Sequence, residues 1–163
     1  MPSVPYFHID AFADRPFSGN QAAVMLLDDW PGDDILQAIG GENNFAETAF
    51  LVPADNGGAA TGEADYELTW FTPTSTVDLC GHATLASGHA VLSALAPERM
   101  SVRFRTRKAG LLEVSREGQG YALSLPAYPP TPGAFDEAVA LLGAQPEEIA
   151  SHAGGYHIFR YAD

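Results

Sequence analysis

From Leu79 to Pro97 the chain carries no Lys, Arg, Asp or Glu, although 18% of all its residues are charged. Residues 83–95, ATLASGHAVLSAL, are mostly small or aliphatic and predict a helix without a charged face. Such a helix is stable only when it is covered on all sides. At about 15 residues it is also shorter than the ~20 apolar residues that cross a bilayer. The rest of the chain must therefore supply a wrapping, with this helix at the centre of the fold.

The flanking segments read as strands. Residues 4–11 are rich in Val, Tyr, Phe and Ile, Asp14 to Asn20 is turn chemistry, and Ala22 to Leu27 is an apolar run suited to a buried strand. Pro31-Gly32 opens a short helix over 33–40, expected to stop at Gly40-Gly41. Phe45 to Val52 is a third strand, followed by a Gly/Ala/Asp-rich loop over 54–64. Residues 65–71 alternate, with Tyr66, Leu68 and Trp70 on one face, which predicts a half-buried strand. After the charge-free helix, 101–107, 111–116 and 121–125 read as an antiparallel meander. Four prolines between Pro126 and Gly133 mark a linker, after which 134–143 and 146–150 read as helices and 156–161 as a strand. Strands on both sides of one buried helix predict an α+β fold, a mostly antiparallel sheet wrapped around that helix.

Charge narrows the partners. The 163 residues carry a formal charge of −13, all of it in residues 1–98, where 14 Asp/Glu face one basic residue, Arg15. That field repels nucleic acid and anionic membranes, so neither is an expected partner. An anionic ligand needs a local device such as a helix N-terminus. The single cysteine, Cys80, leaves no intramolecular disulfide or multi-cysteine zinc site and points to a reducing compartment. With no basic-then-apolar leader at the start, a cytoplasmic location is expected. No dinucleotide fingerprint or Walker A pattern is present.

Two segments could carry chemistry. Asn44 to Leu51 sets Glu47 in an apolar strand, where desolvation would raise its pKa and poise it for proton transfer; equally, alternation could turn it outward. Cys80-Gly81-His82-Ala83-Thr84 opens the charge-free helix, whose first amides lack intrahelical acceptors and form an anion site that Gly81 leaves open. His82 would sit at that mouth, or be the partly exposed histidine of an ordinary helix start. Cys80 reads as a nucleophile, a proton shuttle or a small buried hydrophobe. His89, two turns after His82, reads as a hydrogen-bonded core histidine, because no other ligand has metal-binding spacing. The Arg103/Arg105/Arg107 ladder reads as a solvated strand face that could also bind an anion.

Together, Phe12 to Val24, Asn44 to Leu51, and Phe71-Thr72-Pro73 continuing through Asp78 to Ala86 resemble the phenazine-biosynthesis isomerases, the PhzF-like family, related in fold to diaminopimelate epimerase and proline racemase. The resemblance implies a cofactor-independent, metal-free proton transfer on a small carboxylate such as a dihydro-hydroxyanthranilate. It implies that Glu47 is the acid/base and His82 its catalytic companion, with Asn20, Ala46, Gly81 and His82 at the substrate. The serine often found before the acid is Ala46 here, which removes a hydroxyl contact. Family members have two similar domains with the active site between them. By that measure 1–125 is the first epimerase-like domain, 126–133 a Pro-rich linker and 134–163 the incomplete start of a second. The expected partner is a second domain or a second copy in a homodimer. The alternative is a catalytically inert half-length domain that binds a small anion or associates with itself or a partner chain.

Overall fold

A computed structural model of the chain describes residues 3–15, 17–54 and 62–162. They form two compact units, Met1–Leu125 and Pro126–Asp163. The first contains β1 (Tyr6–Ala11), β2 (Asn20–Leu26), α1 (Asp33–Asn43), β3 (Glu47–Pro53), β4 (Tyr66–Phe71), β5 (Thr76–Val77), α2 (Gly81–Ala90), β6 (Ser101–Thr106), β7 (Leu111–Glu117) and β8 (Gly120–Ser124). A π-helical turn, Val91–Leu95, continues α2.

One mixed sheet runs in the order β1-β2-β3-β4-β6-β7-β8, with β5 attached to β4. Both edge strands, β1 and β8, touch α2, as do β2, β3 and β7, so the sheet curls around the helix. Most neighbours are antiparallel, but β2/β3 and β4/β6 are parallel. A parallel pair requires a crossover, and these two crossovers carry the helices to opposite faces. On the inner face α2 packs in a core with Val24, Leu51, Leu68, Trp70, Val102, Phe104 and Val114. On the outer face Leu36 of α1 joins Leu27, Phe50, Val52 and Phe71.

The sequence of α2 explains its burial. The Ser87 hydroxyl donates to the Ala83 carbonyl (2.7 Å) and the Thr84 hydroxyl to the Cys80 carbonyl, so the polar side chains need no water. Gly88 permits close contact with β7: a Cβ there would lie 2.3 Å from a Val114 methyl carbon. Beyond the helix, the Arg116 guanidinium donates to the Leu92 carbonyl and, at 3.2 Å, to the Arg99 carbonyl.

Several sequence expectations give way. The α1 helix does not stop at Gly40-Gly41 but continues to Asn43; Gly40 is there because a Cβ would come within 3.2 Å of Phe71 Cβ and the Thr72 carbonyl oxygen. The strand at 65–71 is not half-buried: Thr69 and Phe71 on its second face are buried too, Phe71 in a cluster with Leu36 of α1. Of the loop read over 54–64, residues 55–61 lie outside the described residues, as does Pro16 of the first turn.

The second unit contains β9 (Thr131–Pro132), α3 (Asp136–Leu142), β10 (Glu148–His152) and β11 (Tyr156–Arg160), its sheet ordered β11-β10-β9. Residues 146–150 are therefore not a helix: from Glu148 the chain is a strand paired with β11, fastened by Arg160, which reaches Glu147 at 2.6 Å and Glu148 at 3.1 Å. The stretch read as a Pro-rich linker also holds a strand, β9, paired with β10.

Candidate active site

Local geometry at the end of α1 aims Glu47. Asn44 has φ +51°, a left-handed conformation that Asn tolerates better than most residues, and its N–H bonds to the Gly40 carbonyl at 3.1 Å. The chain then turns into β3, where alternation sends Ala49 and Leu51 to the inner core and Phe50 and Val52 to the outer one. Glu47, two residues before Ala49, shares the inner face and stands at the strand's first position, level with the buried Ala22 of β2. The outward alternative is thereby removed.

β5 pairs with Trp70 and Phe71 and leads the chain into α2. Cys80, extended at φ −137° and ψ 110°, precedes the first helical turn and gives it no side-chain cap. The His82 and Ala83 amides of this end also face the Cys80 sulfur, and the helix dipole favours an anion there. Gly81 leaves this approach open, since among the described residues a Cβ would meet only Leu125 Cδ1, at an ordinary 3.6 Å.

His82 bridges the two elements. Its Nε2 is 3.2 Å from Glu47 Oε2, and its Nδ1 is 3.5 Å from Cys80 Sγ. The side chains of His82 and Glu47 are only 11% and 17% exposed. Although Nε2 and Oε2 are close enough for an ion pair, their orientation makes no hydrogen bond, and neither buried atom has another partner among the described residues. Burial, reinforced by the Glu47 carboxylate, pushes the Cys80 thiol up to about 12, against the pull of the Ala83 and His82 amides. Cys80 is therefore a thiol near neutral pH, and it lies within the inner core.

The remaining candidates lie as follows. Asn20 opens β2 on the strand face that carries Ala22 and is exposed; Ala46 is exposed immediately before Glu47 and offers no hydroxyl. His89 does hydrogen-bond, to the Tyr121 hydroxyl at 3.2 Å, but it is exposed at the rim rather than in the core. Arg107 of the arginine ladder grips Asp33 through two 2.7 Å bonds, and Arg103 donates to the Gly62 carbonyl at 2.9 Å. Cys80, which the sequence offers as a nucleophile, a proton shuttle or a small buried hydrophobe, completes the cluster; its closeness to Glu47 depends on strand β3. A carboxylate, an imidazole and an uncapped helix end together can bind a small anion and move a proton next to it.

The sequence profile of the phenazine biosynthesis-like protein family matches residues 9–140. An uncharacterized isomerase of Pseudomonas aeruginosa is 47% identical over 144 residues, covering 88% of this chain and 52% of that protein. The human phenazine biosynthesis-like domain-containing protein is 41% identical over 142 residues, covering 85% and 48%. The chain thus spans about half the length of the curated relatives it matches. Among solved structures, a phenazine biosynthesis protein of the PhzF family from Enterococcus faecalis superposes with a TM-score of 0.80 at 34% identity, covering 99% of this chain and 58% of that one. A hydroxyproline epimerase from Agrobacterium vitis, at 14% identity and a TM-score of 0.52, shares the fold alone.

Proposed function

Because the chain belongs to the phenazine biosynthesis-like, PhzF-type family, we propose that it carries the acid–base wall of an isomerase that moves a proton between carbons of a small carboxylate, such as a dihydro-hydroxyanthranilate, without a cofactor. The observation that carries the reading is the Glu47–His82 pair, 3.2 Å apart beside an uncapped helix N-terminus. Glu47 takes the proton from one substrate carbon and returns it to another, so the carboxyl ends as it began. The amides at Gly81 and His82 hold the substrate carboxylate and the helix dipole steadies the negative charge that develops as the C–H bond breaks. His82 touches Glu47 and orients it; Asn20 and Ala46 flank the substrate. The opposite wall is supplied from outside Met1–Leu125, by a second domain or by a second copy of the chain.

Titration of the purified chain with anthranilate, followed by amide NMR, tests this reading. Millimolar binding with shifts at Gly81–Ala83 is expected. Glu47→Gln, which removes a negative charge beside the anion, tightens that binding severalfold, whereas a bulky residue at Gly81 abolishes it. No interaction at millimolar ligand, or weaker binding in Glu47→Gln, overturns the assignment. The chain alone is expected to turn over little dihydro-hydroxyanthranilate; substantial turnover that Glu47→Gln abolishes would remove the need for a second wall.

A further inference from the structure

The Glu47–Cys80–His82 cluster has a second chemical capacity. One ligand atom from each residue, an oxygen, a sulfur and a ring nitrogen, lies within 4.8 Å of the other two. Tetrahedral zinc, with bonds of about 2.0–2.3 Å, sets its ligand atoms roughly 3.3–3.8 Å apart. The 3.2 Å from Glu47 Oε2 to His82 Nε2 is already at that spacing. A single ring nitrogen must serve the metal; with the three ligand atoms within 4.8 Å of one another, the cluster has to close by at most about an ångström to reach that spacing. Two of the three donors, Glu47 Oε2 and His82 Nε2, are also buried polar atoms without a hydrogen-bond partner among the described residues. A cation between them satisfies both.

We propose that Glu47, Cys80 and His82 form a binding site for a thiophilic divalent ion of the zinc class, with a fourth position left open. The mixed S, N and O donor set selects zinc or cobalt over magnesium or calcium, which prefer oxygen ligands alone. On coordination the thiol proton leaves to solvent and the sulfur binds as thiolate, so the cluster and ion together gain a single positive charge from a divalent cation. The acidic first part of the chain, with 14 Asp/Glu to one Arg in residues 1–98, favours delivery of a cation. Where the proton-transfer reading also holds, the same ion occupies the carboxylate oxygen that reaction needs, and so inhibits it.

Ligand spacing along one helix does not reveal this site, because Glu47 comes from a strand 33 positions before Cys80.

The test uses the whole reduced chain and no organic ligand, so its outcome is separate from that of the carboxylate titration. Titration with Co2+ is expected to give a near-ultraviolet thiolate-to-cobalt charge-transfer band that saturates at one ion per chain. Zn2+ should displace the ion, and a large excess of Mg2+ should not. Cys80→Ser removes the band, and Glu47→Gln and His82→Ala each weaken affinity at least tenfold. Circular dichroism establishes that each variant is folded, and Zn2+ should raise the melting temperature of the parent chain but not that of Cys80→Ser. Absence of the band in the folded parent, or an affinity unchanged in both Glu47→Gln and His82→Ala, overturns the proposal.

Discussion

At the scale of single residues, Gly81 separates folding from binding. It occupies the first helical position of α2, where alanine is up to about 1 kcal/mol more favourable than glycine. The added Cβ would meet Leu125 Cδ1 at 3.6 Å, so the protein has room for it. The same methyl group stands where an anion would approach the amides. Gly81→Ala is therefore expected to raise the melting temperature by a few degrees while lowering anthranilate affinity about tenfold, equivalent to about 1.4 kcal/mol. Differential scanning calorimetry and the NMR titration read the two effects separately, and unchanged binding would remove the amides from the site. Local sequence could suggest Gly81 and His82 as a ligand mouth because helix starts are written in neighbouring residues. It could not orient Glu47, since that required knowing which face of β3 meets α2 and which meets α1.

At the scale of elements, the helix α2 and the strand β7 approach through one glycine. A Cβ on Gly88 would lie 2.3, 2.5 and 2.8 Å from three side-chain carbons of Val114. Valine is stiff at χ1 and cannot turn aside freely. Gly88→Ala should destabilise the chain by about 1–3 kcal/mol through overpacking. Val114→Ala in the same molecule makes room, so denaturant unfolding should find the double variant less destabilised than the sum of the single ones; simple additivity would mean that α2 shifts as a body instead. The charge-free run made α2 itself readable, because a helix lacking any charged face has one destination. The sequence reads β10 as a helix because Pro146-Glu147-Glu148 resembles a helix start, while the pairing with β11 and the Arg160 contacts that make it a strand lie across a turn. The same reason hid the second covered face of β4, whose cover, α1, is a separate element.

At the scale of the whole molecule, charge opposes compactness. The formal charge of −13 is concentrated in residues 1–98. Specific pairs, such as Arg107 with Asp33 and Lys108 with Asp78, relieve part of it at exposed positions. Exposed pairs are individually worth little, so the summed repulsion dominates. Raising ionic strength from 0.01 to 0.15 M shortens the screening length from about 30 to about 8 Å. The melting temperature should rise accordingly, and a fall would show that the ion pairs outweigh the repulsion. The two crossovers have a further consequence for how the molecule opens. They leave β3 and β4 sheathed on both faces, with Ala49, Phe50, Leu51, Leu68, Trp70 and Phe71 all buried. Amide hydrogens there exchange with solvent only when the fold opens globally, whereas those of edge strands β1 and β8 exchange through smaller fluctuations. Glu47 is rooted in the part of the protein that is the last to let deuterium in.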